Sequence, residues 1–299
     1  MDISEIKKVC FVGGGTIGCW NSLITAMAGY QAVVYDVSEA MLADAPNKHQ
    51  QQLKGAAKLG LINGEHAEAG LARIHYTSDA QEAAQNADLL SESVPEKLSL
   101  KRQVHQQFDA LCPEKTLFTT NTSSLLVSEI EDAVQRREKF SALHFHLYGG
   151  LIDIVGGPKT HPDVTETLRQ FSISLNQTPV IHTAEKDGYL WNSLLILNHK
   201  NAIMLVVNGY GTVENVDRSV MAAGYNKIGP FGQLDMVGLD LARDIFQAKF
   251  ERDGDPEFKR AVEFLDSYVN QGHLGMKSGQ GFYQYPKAAW QSPTFLRGE

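Results

Sequence analysis

Two groups of residues in this 299-residue chain have types and spacings that could do chemistry. The first is Gly13, Gly15 and Gly18, spaced G-x-G-x-x-G at the end of the short apolar run Val9, Phe11, Val12. In that setting the first glycine permits a tight turn and the second lets a pyrophosphate approach the backbone. The third lets the following helix sit close to its strand. Thr16 and Ile17 open that helix, whose free N–H groups and partial positive charge suit phosphates. A second apolar run, 32–35, ends in Asp36, 18 residues after Gly18. An acid so placed hydrogen-bonds the hydroxyls of an adenine ribose. The competing reading of Asp36 is a cap for the next helix, which starts near Ser38. Strand, glycines, helix and acid in register predict a dinucleotide site. Asp36 would repel a 2′-phosphate and its neighbours Val37 and Ser38 bring no cation, so the reading is NAD rather than NADP.

The second group is three polar clusters, each at the end of a strand-like run: Glu96, residues 121–124 (Asn-Thr-Ser-Ser) and His144. In open α/β sheets, ligands sit outside the carboxyl ends of the strands, so these clusters would share one edge. A nicotinamide laid across that edge needs a proton acceptor beside the substrate carbon that gives up hydride. His144 is the natural candidate, because an imidazole titrates near neutrality. The bland alternative is a structural histidine at a strand end.

The elements that must position these residues are legible in outline. Helices are expected over 16–29 and 38–60, the second with Met41, Leu42, Leu53 and Leu59 as its apolar residues. Its basic residues, Lys48, Lys54 and Lys58, read as a solvated face or as a rim for a polyanionic substrate tail. Strands are expected at 74–77, 87–94, 116–120, 140–143, 151–155 and 179–181, with helical stretches at 79–85, 98–111 and 163–175 between them. Strands alternating with helices imply a Rossmann-type, doubly wound, mainly parallel sheet. From Gly188 onward strand signals vanish. Helices are expected over 188–208, 233–250 and 256–271. The domains are therefore 1–185, binding the dinucleotide, and 186–299, all helical. The run 188–208 is apolar on more than one stripe, which a domain this small cannot bury alone, so a homodimer is expected.

Composition excludes other classes. Hydrophobic residues make up 43% and charged residues 21%, the range of a globular protein. A net charge of −8 and no basic run argue against a nucleic-acid partner. No apolar stretch of about 18 residues predicts a membrane span, and the charged start MDISEIKK does not read as a signal peptide. Cys10, Cys19 and Cys112 stand apart without C-x-x-C spacing, as core residues of a reducing cytoplasm. No metal-ligand spacing is read.

Over essentially its whole length the chain resembles the 3-hydroxyacyl-CoA dehydrogenase family. The motifs that carry the resemblance are VGGGTIG at 12–18, SVPEKLSLK at 93–101, TNTSSL at 120–125 and ALHF at 142–145. GYLWNSLL at 188–195, GPFGQLDMVGLD at 229–240 and LGMKSGQGFYQY at 274–285 follow in the family's order. The resemblance implies that His144 is the catalytic base, that Ser123 holds the substrate oxygen and that Asn192 contacts the same region. It also implies that Glu96, Lys101 and Asn121 line the nicotinamide half of an NAD site. The substrate would be a β-hydroxy or β-keto compound.

One segment departs from the family. The usual H-F-F-N-P, with a later L-V-E-V whose Glu orients the histidine, is here HFHLYGGLIDIV. The Asn-Pro is absent, the loop is about three residues shorter, and Asp153 replaces the Glu. The shorter loop (Tyr148, Gly149, Gly150) could compensate for the shorter acid; otherwise Asp153 is a strand-end acid and the dyad is lost. His146 is a rival base. The altered loop and the modest basic content of 48–58 admit a substrate without coenzyme A, as in sugar-acid and carnitine dehydrogenases and a diketoreductase type of this architecture. A reading from another class is a catalytically silent NAD(H)-binding protein.

Overall fold

The computed structural model describes residues 2–58, 60, 62 and 67–298. Leu59, expected in the second helix, lies outside the described residues. The chain divides into two compact units, Met1–Tyr189 and Leu190–Glu299.

The first unit is built on one eight-stranded sheet. Its strands are β1 (Lys8–Val12), β2 (Gln31–Tyr35), β3 (Ile74–Thr77), β4 (Leu89–Glu92), β5 (Leu117–Thr120), β6 (Phe140–Phe145), β7 (Leu151–Gly156) and β8 (Thr178–Ile181). Their order across the sheet is β3-β2-β1-β4-β5-β6-β7-β8. All pairs are parallel except β6 with β7. The helices are α1 (Thr16–Met27), α2 (Glu39–Lys58), α3 (Ala67–Leu71), α4 (Ala80–Ala84), α5 (Leu98–Leu111), α6 (Val127–Ile130) and α7 (Pro162–Ser174). β1 and β2 are nearly continuous apolar runs because both faces are covered. Val9 and Phe11 enter one core with Trp20, Leu143, Ile152 and Phe171; Cys10 and Val12 enter the other with Phe108, Phe118 and Val155. That alternation is the two-residue period of a strand. All three cysteines are free and buried.

The one antiparallel step follows from loop length. A parallel return needs a crossover of a dozen or more residues, whereas only residues 146–150 join β6 to β7. Tyr148 takes positive φ (54°) in this turn, and its ring packs on Trp20 with centroids 5.0 Å apart. The resulting register sets His144 directly opposite Asp153.

The second unit is helical: α8 (Tyr189–Val207), α9 (Val213–Ala222), α10 (Pro230–Val237), α11 (Leu239–Asp253) and α12 (Pro256–Val269). Ile203, Phe231, Leu239, Phe246, Ala261 and Leu265 are fully enclosed in its core. Two expectations need correction. The single helix over 233–250 is two helices, because Gly238 takes φ 101° and turns the chain between them. Helix α9 was not anticipated, although Thr212 caps it by accepting from the Asn215 N–H at 3.2 Å. Among the described residues no helix is long and apolar enough to cross a membrane.

Candidate active site

The glycine loop between β1 and α1 behaves as its spacing requires. Gly13 has φ 112°, and a Cβ there would lie 2.8 Å from the Ser93 carbonyl oxygen. A Cβ on Gly18 would collide with the carbonyl of Gly13, so α1 can approach β1 only without one. A Cβ on Gly15 would instead stand in open space. That space is a cleft of about 590 Å³ lined by Gly13, Gly15, Thr16, Ile17, Asp36 and Val94, among others. Backbone without side chain at the mouth of a cleft, at a helix N-terminus, fits a pyrophosphate. Asp36 does not cap the next helix: Ser38 does, its hydroxyl accepting from the Met41 N–H at 3.4 Å. One carboxylate oxygen of Asp36 accepts from the Gly14 N–H at 2.8 Å and the other from the Ser38 N–H at 2.9 Å, and the residue lines the cleft. A carboxylate has about four acceptor sites, so capacity remains for ribose hydroxyls.

Past β4 and β5 the clusters at 96 and 121–124 form one hub. Oε1 of Glu96 accepts from the Thr122 hydroxyl (2.5 Å), the Ser123 N–H (2.9 Å) and the Ser124 N–H and hydroxyl (both 2.9 Å). The Ser123 hydroxyl itself makes no bond among the described residues. Asn121 accepts from the Phe145 N–H at 2.9 Å and from Asn21 at 3.1 Å, which ties this loop to the strand carrying His144. Lys101 is placed differently from the sequence reading. It is 1% exposed, with Nζ 2.8 Å from Glu92 and 3.2 Å from Glu96, so it holds Glu96 from behind rather than lining the cleft. Burial works to raise both carboxyls. For Glu92, the His105 imidazole and Lys101 ammonium outweigh it and hold the group at about 2. For Glu96, the Lys101 charge and its donors likewise bring it below the usual range.

His144 and Asp153 come together across the β6–β7 pair. Nδ1 of His144 lies 3.2 Å from Oδ2 of Asp153. The His144 side chain is 9% exposed and that of Asp153 1%. Direct cross-strand register is what brings Asp153 into contact with His144. The rival, His146, points to the same place, its Nε2 2.8 Å from the same Oδ2. A third imidazole was not anticipated: Nε2 of His182 lies 2.8 Å from Oδ1. The His144 and His146 rings lie edge to face, with centroids 4.5 Å apart. His182 carried no sequence signal, because nothing local says which strand lies beyond β7.

The charges follow. Burial would raise the Asp153 carboxyl, but hydrogen bonds from His144, His146 and His182 hold it far below the ordinary carboxylate range. Burial pushes the His144 imidazole down, opposed by its bond to Asp153 and assisted by His146. An ionised Asp153 accepts only, so Nδ1 of His144 carries the proton and Nε2 holds a lone pair. That Nε2 makes no hydrogen bond among the described residues. The Tyr189 ring walls the site, 5.1 Å from the His144 ring, with its hydroxyl donating to the Thr122 carbonyl at 2.7 Å. His144, His146 and Asp153 also offer donor atoms within 4.8 Å of one another, a spacing a metal could bridge. The N–H···O bonds account for that spacing by themselves. Asn192 belongs to the second unit, in the first turn of α8.

Matches to known proteins span both units of the chain. The model of the 3-hydroxyacyl-CoA dehydrogenase NAD binding domain matches residues 8–185, and that of the C-terminal domain matches 188–285. A mitochondrial hydroxyacyl-coenzyme A dehydrogenase of Rattus norvegicus is 32% identical, covering 94% of this chain and 91% of its own. A 3-hydroxybutyryl-CoA dehydrogenase of Mycobacterium tuberculosis is 27% identical over 94% of this chain and 99% of its own. Among solved structures, a diketoreductase described as acting on dicarbonyl compounds is 32% identical with TM-score 0.81, covering 94% and 99% of the two chains.

Proposed function

The chain belongs to the 3-hydroxyacyl-CoA dehydrogenase family, and from that premise we propose how its residues carry out NAD-dependent interconversion of a β-hydroxyacyl and a β-ketoacyl compound. Bound NAD, held by the glycine loop and Asp36, supplies the acceptor for the hydride leaving the substrate's β-carbon. As that bond breaks, Nε2 of His144 takes the hydroxyl proton. The observation that carries this reading is the Nδ1 bond to Asp153, which leaves Nε2 as the basic nitrogen. Asp153 then stabilises the imidazolium, the logic of an orienting acid behind a catalytic histidine. The Ser123 hydroxyl hydrogen-bonds the substrate oxygen as charge develops on it. Glu96 and Asn121 shape the nicotinamide side, with Lys101 acting through Glu96. In the reductive direction His144 returns the proton.

The default substrate is a coenzyme A thioester. A second reading, a free β-keto acid or ester, is favoured by the diketoreductase likeness and by the short turn that seats Tyr148 on Trp20. Comparing kcat/KM for acetoacetyl-CoA with that for free β-keto acids separates them. A thousandfold advantage for the thioester, worth about 4 kcal/mol of transition-state binding, retires the second reading; equal or better use of the free acids retires the first. No NADH oxidation with either, alongside tight NADH binding, would instead mark a catalytically silent protein.

The assembly is assigned as a homodimer through α8. Leu190, Trp191, Leu194, Leu197 and Leu205 are exposed while Ala202, Ile203 and Met204 of the same helix are buried. Contiguous exposed apolar surface of this kind marks an interface. Light scattering at micromolar concentration is expected to give twice the 33.0 kDa of the chain, and a single-chain mass would overturn the assignment. Free, buried cysteines support a cytoplasmic location.

A further inference from the structure

β8 ends at Ile181, and His182 continues its line, its N–H donating to the Ile154 carbonyl at 2.9 Å. Val180 pairs with Asp153, so His182, two residues on, stands on the same face of the sheet. Its side chain is 2% exposed. The two oxygens of Asp153 are used unequally. Oδ2 serves two imidazoles, His146 at 2.8 Å and His144 at 3.2 Å. Oδ1 has one partner among the described residues, His182 at 2.8 Å.

We propose that His182 is a positioning residue: by binding Oδ1 it fixes the plane of the Asp153 carboxylate, so that Oδ2 stays on Nδ1 of His144. The inference rests on the reading of His144 as the base. The torsion that turns an Asp carboxylate is broad and roughly two-fold, so one anchored oxygen does not set the plane. Of the two bonds at Oδ2, the one to His146 is the shorter. A carboxylate released at Oδ1 would turn to suit His146, and the longer bond to His144 is the one that would break. Asp153 is thus held also from the residue just past β8, at the sheet edge. The groups that face His144 are Asp153 on β7, His146 in the turn just after β6, Glu96 after β4 and Tyr189 at the start of α8; His182 reaches it only through Asp153.

His182→Phe tests this, because it keeps a ring beside Tyr189, 5.4 Å away, and removes the donor. The partner variant is His182→Gln, whose amide nitrogen can reach the place of Nε2. Both are assayed with EDTA present, so that a metal on the histidines plays no part. His182→Phe is expected to lower kcat roughly 10- to 100-fold, the scale of a small misplacement of a catalytic group. KM and NADH affinity stay as in the parent. The pH at which kcat/KM for oxidation reaches half its plateau moves down, because Asp153 supports the imidazolium less. His182→Gln is expected to restore most of kcat and the parental pH profile. Unchanged kcat and pH profile in His182→Phe overturn the proposal. So does equal loss in Phe and Gln variants with a lowered melting temperature, which would mark a structural role. If His182→Phe does not fold, His182→Leu replaces it in the same comparison. Full activity in His144→Ala would fell the base reading itself, whereas an inactive His144→Ala beside an unaffected His182→Phe fells only this inference.

Discussion

His144→Ala is expected to lower kcat by roughly 10²–10⁴-fold, the usual contribution of a positioned general base, while NADH binds with unchanged affinity. The two effects separate because the imidazole is remote in sequence and strand from the glycine loop and Asp36, which line a cleft of their own. Only the step that moves the hydroxyl proton loses its acceptor. In the parent enzyme, oxidation should become faster as pH rises through the His144 titration, since only the neutral imidazole accepts a proton. Burial places that titration below the ordinary histidine value even against the pull of Asp153. NADH binding measured by fluorescence, with steady-state rates over pH, checks both halves. Near-parental kcat in the variant would remove His144 from the chemistry, and His146 would become the candidate.

Asp153→Asn is expected to be nearly as damaging. The amide offers an N–H as well as an oxygen, so it can accept the wrong tautomer of His144, and it carries no charge to stabilise an imidazolium. In the serine-protease triad the equivalent change costs about ten-thousandfold in kcat. Here the site holds three imidazoles against one carboxylate, so the neutral amide also leaves donors with too few acceptors. The pH limb for oxidation should move down, because the group that favoured the protonated imidazole is gone. Asp153→Glu is a sharper probe. The antiparallel register already brings the shorter acid into contact, so the longer one would displace the His144 ring and lower activity rather than raise it. Parental kcat in Asp153→Asn would reduce Asp153 to a structural acid.

What could be read from the sequence follows from how local each feature is. The cofactor half lies within residues 9–36, so strand, turn, helix and acid were visible as one spacing pattern, and the structure keeps all four. His144 was legible because it ends an apolar run. Its partner, Asp153, was named only through the family resemblance; the contact itself depends on cross-strand register, which the five-residue turn fixes once the β6–β7 step is antiparallel. His182 needed still more: the identity of the strand at the far edge of the sheet. Lys101 was misplaced for a related reason. Its motif position says that it is near Glu96, but not that Glu92 draws its ammonium inward. In the helical unit, apolar periodicity runs through Gly238 unbroken, and only a positive φ reveals two helices there.

The most direct test of the central claim, that His144 and Asp153 act as one unit, is the double variant His144→Ala/Asp153→Asn. Residues that act as a unit are grossly non-additive. The double variant should therefore have a kcat scarcely below that of the worse single variant, with NADH affinity unchanged in all three. A kcat reduced by the product of the two single losses would mean that the residues act independently, and would contradict the account.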